Sequence, residues 1–546
     1  MTSSTASILE ISGLSVALDL PGTVRRVVTD VALTVHRRKI TCLIGESGSG
    51  KSVTSSAIMQ LLPSGLRIDG GRVLLDGHDM ASATPEDLAT LRGRVVSMVF
   101  QEPLTALNPV MRVGTQIGEM LAIHRPEMSA RAREARILEL LGDVHLPDPP
   151  QIMRAFPHQL SGGQRQRVVI AMALALEPAL IIADEPTTAL DVTTQAQILH
   201  LFRELMTRHD SGVLLITHDF GVVAEVADFV YVMQNGRVVE HGAADAVLER
   251  AEHPYTKSLI AAVPGFRFRP ELPVADTALV RAEGLDLTYV TRSFTSAKRE
   301  IKALDQVSFH IDPGETLGVV GESGSGKSTL AKVLMLFEKP DAGTMTVFGR
   351  EIGSLRGKAL NDYRAGVQMV FQDPFKSLNP RRRVGHSLTE GPMANGVSRS
   401  EALARALDLL DRVGLPAEAM GRFPHEFSGG QRQRICIARA LAMKPRIVVA
   451  DEAVSALDVS VQAQVLELFE TLKRELGFAM LFITHDLRVA SNICDRLIVM
   501  HRGRVVETGL TRDVFTNPGH AYTEELIRAI PGGLAMRTQG VLAEQP

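Results

Sequence analysis

The 546-residue sequence lacks tryptophan altogether and contains only five tyrosines. Aromatic side chains that stack on single-stranded bases are therefore scarce, which argues against a surface that binds nucleic acid in that way. Lysine and arginine number 59 against 62 aspartates and glutamates, a formal net charge of -3. This balance provides no positive surface for a polyanion, so neither nucleic acid nor an anionic membrane is an expected direct partner.

Cysteine is equally rare. Cys42, Cys436 and Cys494 are widely separated and lack the spacing of metal ligands. The pattern excludes a disulfide scaffold and suits a reducing compartment.

Long apolar runs are also missing. The most apolar stretch, "VVIAMALAL" at residues 168–176, stops at Glu177 and Pro178, well short of the roughly 20 residues that span a bilayer. The first residues, "MTSSTASILEIS", have neither the basic start nor the apolar core of a secretion signal. We expect the chain to remain inside the cell and to owe any membrane role to partner subunits.

The sequence contains an internal duplication. Three phrases recur at one spacing, 267 residues. They are "LSGGQRQR" at 160–167 and "FSGGQRQR" at 427–434, "IIADEPTTALD" at 181–191 and "VVADEAVSALD" at 448–458, and "ITHD" at 216–219 and 483–486. The tails "HPYTKSLIAAVPG" and "HAYTEELIRAIPG" repeat as well. A repeat of about 260 residues predicts two domains rather than a solenoid, whose units run about 20–50 residues.

Each half has the pattern of an α/β domain. Apolar runs such as "ITCLIG", "RVVSMVF", "ALIIAD" and "GVLLIT" alternate with helical stretches such as "TQAQILHLFRELMTRH". This alternation predicts a mostly parallel core sheet covered by helices. The expected organisation is a first domain at 1–265, a linker at 266–280 and a second domain at 281–546.

Two glycine-rich loops carry the clearest chemistry. Each matches G-x-x-x-x-G-K-[ST] between an apolar strand and a helical stretch, where backbone N–H groups, the helix N-terminus and the lysine together bind the phosphates of a nucleoside triphosphate. The predicted ATP-binding residues are Gly45, Glu46, Ser47, Gly48, Ser49, Gly50, Lys51 and Ser52 in the first loop, and Gly321, Glu322, Ser323, Gly324, Ser325, Gly326, Lys327 and Ser328 in the second.

An apolar strand in each half ends in two carboxylates, Asp184 and Glu185 or Asp451 and Glu452. Because neighbouring residues on a strand point to opposite faces, the two acids are expected to have different roles. We assign the aspartates to Mg²⁺ and the glutamates to the attacking water.

His218 and His485 follow two further core strands, and Gln101 and Gln372 follow two others. A single histidine is more often structural, but one at the same place in both halves favours a γ-phosphate contact. The glutamine carbonyls are candidates for Mg²⁺ or the attacking water. The predicted magnesium ligands are Ser52, Gln101 and Asp184, and Ser328, Gln372 and Asp451.

The "SGGQ" phrases form a second kind of anion-binding helix start, which a nucleotide already bound by its own glycine loop does not need. At this point the sequence closely resembles the ATP-binding subunits of ABC transporters, across residues 8–265 and 281–533. The resemblance implies two tandem P-loop NTPase domains, each with a mostly parallel core sheet, a helical subdomain and a short C-terminal extension.

In that family two domains pair head to tail around two ATP molecules. The resemblance implies that Ser428, Gly429, Gly430 and Gln431 complete the first site, that Ser161, Gly162, Gly163 and Gln164 complete the second, and that Asp191 and Asp458 lie at the shared interface. Both sites are expected to hydrolyse ATP, since each half retains its lysine, glutamate, serine and histidine. Tyr289 matches the family's adenine-stacking aromatic residue, whereas Leu18 stands at the aligned place in the first half.

Two further segments and the repeated tails are similar to those of the importer subfamily for dipeptides, oligopeptides and nickel; the segments are "QEPLTALNPVMRVGTQIGE" and "QDPFKSLNPRRRVGHSLTE". The chain resembles a fusion of the two ATPase subunits of such an importer. The resemblance implies two membrane permeases, an extracytoplasmic binding protein and a peripheral location at the cytoplasmic face of the membrane. Peptides rank first as substrate, with nickel, glutathione or haem as alternatives. Residues 266–280 and 534–546 contain no cysteine, so no iron–sulfur cluster is expected. A drug exporter and a soluble twin ATPase of translation or repair are the other candidate classes.

Overall fold

The computed structural model describes residues 7–20, 22–188, 190–263, 265–270, 277–291, 299–455 and 457–531. The chain divides into two compact units. The first comprises Met1–Leu190 and Thr194–Val263, and the second comprises Asp191–Thr193 and Pro264–Pro546.

The first repeat contains strands β1–β10 and helices α1–α11. The strands are Ser7–Leu20, Thr23–His36, Ile40–Ile44, Leu66–Leu75, His78–Asp79, Val96–Val99, Leu180–Asp184, Gly212–Thr217, Phe229–Gln234 and Arg237–Ala243. The helices are Lys51–Ile58, Pro85–Arg94, Pro103–Ala106, Val113–His124, Ala130–Asp143, Pro149–Arg154, Gly162–Leu174, Val192–His209, Phe220–Val226, Ala244–Glu249 and Pro254–Ala262. A 3₁₀ turn covers Pro157–Gln159.

Two sheets organise these elements, one with the strand order β10-β9-β3-β8-β7-β6 and one with the order β2-β1-β4-β5. In the first sheet β3 pairs in parallel with β8 and β9, β7 pairs in parallel with β6 and β8, and only the edge strand β10 is antiparallel. The second sheet is antiparallel. The mostly parallel core sheet predicted from the sequence is confirmed.

The central strand β3 shows why these apolar runs become buried strands. All five of its residues are buried. Ile40, Cys42 and Ile44 face the cluster formed with the helices after β6, whereas Leu43 faces the cluster under the antiparallel sheet. A strand with a core on both faces needs an uninterrupted apolar run, because alternate side chains enter opposite cores.

The second repeat contains strands β11–β20 and helices α12–α21. The strands are Val280–Thr291, Arg299–Ile311, Thr316–Val320, Ala342–Val347, Arg350–Glu351, Val367–Val370, Ile447–Asp451, Ala479–Ile483, Arg496–His501 and Arg504–Leu510. The helices are Lys327–Leu334, Gly357–Gly366, Pro374–Ser377, Val384–Ala394, Arg399–Arg412, Gly429–Leu441, Val459–Leu476, Leu487–Ile493, Thr511–Thr516 and Ala521–Arg528. The 3₁₀ turns are Ile352–Ser354, Ala417–Gly421 and Pro424–Glu426.

The sheets of the second unit repeat those of the first, with the orders β16-β17-β18-β13-β19-β20 and β12-β11-β14-β15. Strand β13 again lies at the centre, parallel to β18 and β19, and only β20 is antiparallel in the larger sheet. In both repeats the phosphate loop follows the central strand, at the carboxyl end of a parallel sheet where α/β proteins bind their ligands.

Part of the segment expected to be a linker lies against the second unit. The rings of Phe266 and Phe268 pack on Phe515, with centroids 5.4 and 5.8 Å away. Arg269 donates to the carbonyl oxygen of Ile493 and forms an ion pair with Glu470, at 3.0 Å each. The start of this segment is therefore fixed to the second unit by apolar and ionic contacts.

None of the helices in the described ranges combines the length and the apolar character that a bilayer crossing requires.

Candidate active site

The first glycine of each phosphate loop sits where no other residue fits. Gly45 has a φ of 150°, and a Cβ atom there would lie 2.3 Å from the carbonyl oxygen of Met233. Gly321, with a φ of 145°, would bring a Cβ within 2.2 Å of the carbonyl oxygen of Met500. Both the backbone conformation and the approach of the neighbouring strand demand glycine.

The lysine of each loop is buried and donates hydrogen bonds to its own loop. Lys51 Nζ donates to the carbonyl oxygens of Gly45 and Glu46 at 2.6 and 2.8 Å. Lys327 Nζ makes the matching bonds to Gly321 and Glu322, both at 2.7 Å. Burial lowers the pKa of Lys327 despite the nearby carboxylates. A buried ammonium within a ring of backbone groups is suited to bind phosphate oxygens.

Next to each lysine lies a hydroxyl and carboxylate pair. Ser52 Oγ donates to Asp184 Oδ1, and Ser328 Oγ donates to Asp451 Oδ1, both at 3.3 Å. Burial raises the pKa of both aspartates, and the adjacent glutamate adds to the effect. A buried carboxylate beside a hydroxyl is a donor set that fits Mg²⁺, which is commonly bound by one or two protein oxygens together with phosphate and water.

This fit does not depend on a dedicated metal cage. Across the described ranges, no cluster of three or more histidine, cysteine, aspartate or glutamate side chains is arranged to bind a metal ion.

The two acids at each strand end differ in backbone conformation. Alternation along a strand therefore does not account for their different contacts. Strand β7 ends at Asp184, and Glu185 turns into the left-handed region with a φ of 47°. Its carboxylate accepts from Gln101 Nε2 at 2.8 Å and interacts with His218 Nδ1 at 3.0 Å. Glu452, with a φ of 46°, repeats the turn. A non-glycine residue in this conformation carries some backbone strain, and both repeats place it at the same residue.

Hydrogen bonding keeps the glutamates ionised. Burial acts to raise the pKa of Glu185, but the hydrogen bond and charge of His218, with a hydrogen bond from Thr188, lower it overall. For Glu452 the effect of burial is again outweighed, mainly by His485. Burial acts to lower the pKa of His485, but its interaction with Glu452 raises it overall.

One contact distinguishes the two glutamates. Thr188 Oγ1 donates to the carboxylate of Glu185 at 3.0 Å. At the equivalent position, Ser455 Oγ donates to the backbone carbonyl oxygen of Glu452 at 2.9 Å. Gln372 Nε2 donates to the Glu452 carboxylate at 2.7 Å, and His485 Nδ1 lies 3.5 Å from it. The first carboxylate therefore has a hydroxyl donor that the second lacks.

The "SGGQ" phrases begin helices α7 and α17 with a capping box. Ser161 Oγ accepts from the backbone N–H of Gln164 at 3.2 Å, while the Gln164 side chain accepts from the backbone N–H of Ser161 at 3.0 Å. Ser428 and Gln431 repeat the arrangement at 3.4 and 3.1 Å. Each box fixes a helix N-terminus, whose partial positive charge attracts anions.

The glycines at these helix starts have different surroundings. A Cβ on Gly163 would lie 2.5 Å from Thr194 Cγ2, and one on Gly430 would lie 2.4 Å from Val461 Cγ1. A Cβ on Gly162 would meet nothing closer than Leu190 Cδ2 at 3.8 Å. The second glycine is therefore required by helix packing, whereas the first leaves open space.

The remaining predicted residues do not take part in the contacts described above, except that the charge of Asp191 acts to raise the pKa of Lys327. Tyr289 is partly buried against the core under the second antiparallel sheet, and its hydroxyl is buried. Leu18 lies on β1. Asp458 is the N-cap residue of α18, and Asp191 accepts a hydrogen bond from Thr193 Oγ1 at 2.8 Å. Adenine stacking and the interface roles stay predictions.

Sequence reasoning missed three side chains near these groups, Thr188, Tyr255 and Tyr522. Tyr255 accepts from the backbone N–H of Glu46, and Tyr522 accepts from that of Glu322. The signal was present in the repeated tails, which both contain a tyrosine two residues after a histidine. The partner of each tyrosine is about 200 residues away in the chain, so the contact required the tertiary structure.

Two protein-family models match this chain, each of them in both halves. The family model described as ABC transporter matches residues 28–188 and 304–455. A second model, described as the C-terminal region of oligopeptide/dipeptide transporters, matches residues 239–278 and 506–538.

Individual relatives match almost the full chain. The glutathione import ATP-binding protein GsiA of Pectobacterium atrosepticum is 45% identical, covering 96% of this chain and 89% of that protein. The protein of the same name from Escherichia coli O157:H7 is 42% identical, with 96% and 90% covered. Among solved structures, cbiO1 from Clostridium perfringens, part of the ABC transporter complex cbiONQ, is 27% identical, with 49% of this chain and 99% of that chain covered and a TM-score of 0.40.

The chain belongs to the ABC transporter family, with two tandem ATPase domains. It is an ATP-hydrolysing, ATP-binding subunit of an importer of the oligopeptide/dipeptide type. The resemblance stated from the sequence motifs is confirmed.

Proposed function

We propose that each unit contributes one set of groups for binding and hydrolysing MgATP. The observation that carries this proposal is the repetition of one constellation. In each repeat a buried loop lysine, a serine–aspartate pair and a left-handed glutamate that accepts from a glutamine lie at the carboxyl end of a parallel sheet. Two independent repeats of the same geometry support a shared chemical role.

In the first repeat, Lys51 and the backbone N–H groups of the loop from Gly45 to Ser52, other than that of Glu46, bind the phosphates. Ser52, Asp184 and the carbonyl oxygen of Gln101 provide the oxygen donors for Mg²⁺, as do Ser328, Asp451 and Gln372 in the second repeat. When bound, Mg²⁺ neutralises charge on the phosphate oxygens. Because the lysine already donates to loop carbonyls, phosphate binding exchanges those bonds for ones in which the acceptor is charged as well.

Glu185 and Glu452 orient the attacking water and accept its proton. Their lowered pKa keeps them ionised at neutral pH, as a proton acceptor must be. His218 and His485 lie against these carboxylates, where they fix the carboxylate orientation and contact the γ-phosphate. ATP binding and hydrolysis favour different conformations, and coupling to permeases converts that difference into transport.

The test is the double variant Glu185→Gln with Glu452→Gln. We expect ATP still to bind, because the loop lysines are unchanged, and turnover to fall about 10²- to 10⁴-fold. Nucleotide binding and phosphate release are measured on the same preparation. The matched control is Glu177→Gln, at a glutamate that forms an ion pair with Arg136. Phosphate release at the normal rate in the double variant contradicts the assignment.

We further propose that the imported substrate is a short peptide, with glutathione as the first candidate. The match to the oligopeptide/dipeptide transporter C-terminal region in both halves supports the class. The names of the relatives, which are glutathione import proteins, support the candidate. The substrate itself is selected by other subunits, so nothing in the ATP sites distinguishes one peptide from another.

The proposed partners are two integral-membrane permeases and, through them, an extracytoplasmic substrate-binding protein. With these partners, the chain acts as a peripheral subunit at the cytoplasmic face of the membrane. Membrane pull-down tests this directly, and we expect two hydrophobic proteins to co-purify. Co-sedimentation with ribosomes in their absence contradicts the proposal. The three cysteines are buried. The proposed function includes no iron–sulfur cluster.

Uptake by the reconstituted complex with its cognate binding protein decides the substrate. Dipeptides, longer peptides, glutathione, nickel chelates and haem are compared under the same conditions. We expect ATP-dependent uptake of glutathione or another short peptide, and none in the Glu185→Gln, Glu452→Gln complex. Uptake of nickel chelates or haem alone replaces the peptide proposal with the corresponding alternative.

A further inference from the structure

In both repeats the short helix near the end of the domain contacts the phosphate loop through a tyrosine. The phenol oxygen of Tyr255, on α11, accepts from the backbone N–H of Glu46 at 3.2 Å. The phenol oxygen of Tyr522, on α21, accepts from the backbone N–H of Glu322 at 3.0 Å. Both helices lie within the regions matched by the oligopeptide/dipeptide transporter C-terminal model.

Each tyrosine is fixed by hydrogen bonds that are also repeated. In the first unit, the Glu240 carboxylate on β10 accepts from the backbone N–H groups of Glu252 and His253. His253 Nδ1 then accepts from the backbone N–H of Tyr255 at 3.2 Å and caps the helix. The path from β10 to the phosphate loop is therefore continuous.

The second unit builds the same path from Glu507. Its carboxylate accepts from the backbone N–H groups of Gly519 and His520 at 2.7 and 3.2 Å. His520 Nδ1 accepts from the backbone N–H of Tyr522 at 3.1 Å. The Tyr522 ring also packs edge-on against His501, with centroids 3.9 Å apart. Burial raises the pKa of Tyr522, so the phenol remains protonated at neutral pH.

The residue that each tyrosine contacts is also the one that the loop lysine contacts. The carbonyl oxygen of Glu46 accepts from Lys51 Nζ at 2.8 Å, and that of Glu322 accepts from Lys327 Nζ at 2.7 Å. The lysine is the group expected to turn toward phosphate. When it does so, the carbonyl loses that partner, while the N–H of the same residue retains the tyrosine.

We propose that Tyr255 and Tyr522 are positioning residues, through which the C-terminal extensions fix the phosphate loops in the conformation that binds ATP. The proposal rests on the proposed function, in which these loops bind the ATP phosphates. Because each tyrosine contacts the loop backbone rather than a reacting atom, its loss affects ATP affinity more than turnover at saturating ATP.

The test uses the full chain with Tyr255→Phe and Tyr522→Phe, together and singly. Each change removes one hydroxyl and retains the ring. One hydrogen bond typically changes an equilibrium by about 2- to 10-fold, so we expect KM for ATP to rise by about that factor in the double variant, and by less in the single variants. The expected kcat stays within about twofold of the unchanged protein, because the reacting groups are intact.

Tyr231→Phe is the matched control. The phenol oxygen of Tyr231, on β9, accepts a hydrogen bond at 3.1 Å from the backbone N–H of Thr34, which lies on β2 of the antiparallel sheet. This is the same donor and acceptor pair, in a buried tyrosine, at another place in the fold. We expect a similar change in thermal unfolding and an unchanged KM. An equal rise in KM for the control, or no rise for the double variant, overturns the proposal.

The design separates this inference from the proposed function. Lys51→Ala with Lys327→Ala is expected to abolish ATP binding. If the unchanged protein hydrolyses ATP and the lysine variant does not, while Tyr255→Phe with Tyr522→Phe has a normal KM, only the tyrosine inference fails. If the unchanged protein with its partner subunits does not hydrolyse ATP, both fail.

Discussion

Single residues explain how two nearly identical sites acquire different properties. Glu185 accepts from Gln101, His218 and Thr188, whereas Ser455, which replaces Thr188 in the second half, donates to the backbone instead. A hydroxyl that donates to a carboxylate lowers the pKa of that carboxylate, whereas a hydroxyl that donates to a backbone oxygen does not. The two proton acceptors therefore ionise in different surroundings.

This difference predicts a pH effect that is confined to one site. Thr188→Val removes a hydrogen bond that lowers the pKa of Glu185, so that pKa rises and the acidic limb of the ATPase pH profile moves to higher pH. Ser455→Ala is the control, because its hydroxyl donates to the backbone oxygen of Glu452. The measurement is the pH–rate profile of each variant. An equal shift for both variants, or a shift for Ser455→Ala alone, contradicts the prediction.

The pair of His485 and Glu452 makes stability depend on pH in a defined direction. The pKa of His485 is raised above its ordinary 6.5, so the stabilisation that it contributes is complete below that value and is lost as pH rises through the higher folded pKa. The pKa of Glu452 is lowered below its ordinary 4.5, so its contribution is present above 4.5 and is lost as pH falls through the lower folded pKa.

Comparison with His485→Gln measures this contribution. We expect the difference in thermal unfolding temperature between the unchanged protein and the variant to be largest between 4.5 and 6.5. The difference decreases as pH rises beyond that window and the histidine loses its proton. A difference that does not vary with pH indicates that lost packing, rather than the ion pair, causes it.

At the scale of elements, the helices that begin with "SGGQ" combine a structural requirement with a functional one. The capping box and the second glycine are explained by the helix itself and by its packing on α8 or α18. The first glycine has no such explanation, since a Cβ at Gly162 or Gly429 meets open space or an ordinary contact.

Alanine substitutions separate these requirements. Gly163→Ala with Gly430→Ala is expected to lower the free energy of unfolding by about 1–3 kcal/mol, because each new Cβ overlaps a neighbouring side chain. Gly162→Ala with Gly429→Ala is expected to leave the free energy of unfolding unchanged or slightly higher, since the new Cβ atoms meet no close neighbour and alanine is the better helix former. The same pair is expected to reduce ATP turnover. Thermal unfolding and ATPase rate are measured together. Normal turnover in the second pair indicates that no nucleotide approaches these helix starts.

At the scale of the whole molecule, the duplication puts both ATPase domains on one chain, so the two domains are always present in equal number. The family resemblance predicts that the "SGGQ" serine of one half serves the lysine loop of the other, and this stays a prediction. Pairs of substitutions test it, because changes that affect the same site do not add.

Lys51→Ala with Ser428→Arg is expected to disable one site and to leave one trapped ATP per chain. Lys51→Ala with Ser161→Arg is expected to disable both sites and to leave none. The measurement is the number of nucleotides retained per chain in a background that cannot hydrolyse ATP, Glu185→Gln with Glu452→Gln. The opposite result assigns each serine to the lysine loop of its own half.

The amino-acid sequence was sufficient to predict the fold class, the duplication, the family and most of the side chains around each phosphate loop. The fold class and the phosphate loops follow from local rules, because an uninterrupted apolar run indicates a buried strand and the glycine–lysine spacing between a strand and a helix indicates a phosphate loop. The assignment of Tyr289 as an adenine platform comes from the family resemblance, and it stays a prediction.

Which distant groups come into contact is evident from the three-dimensional structure and not from the sequence. The left-handed turn at Glu185 replaces the strand alternation expected from sequence, and Thr188 and Ser455 donate to different atoms although they occupy equivalent positions. Tyr255 reaches Glu46 only because helix α11 packs beside the carboxyl end of the sheet. Backbone conformation and hydrogen bonds between distant segments depend on three-dimensional packing, which no local pattern of residues specifies.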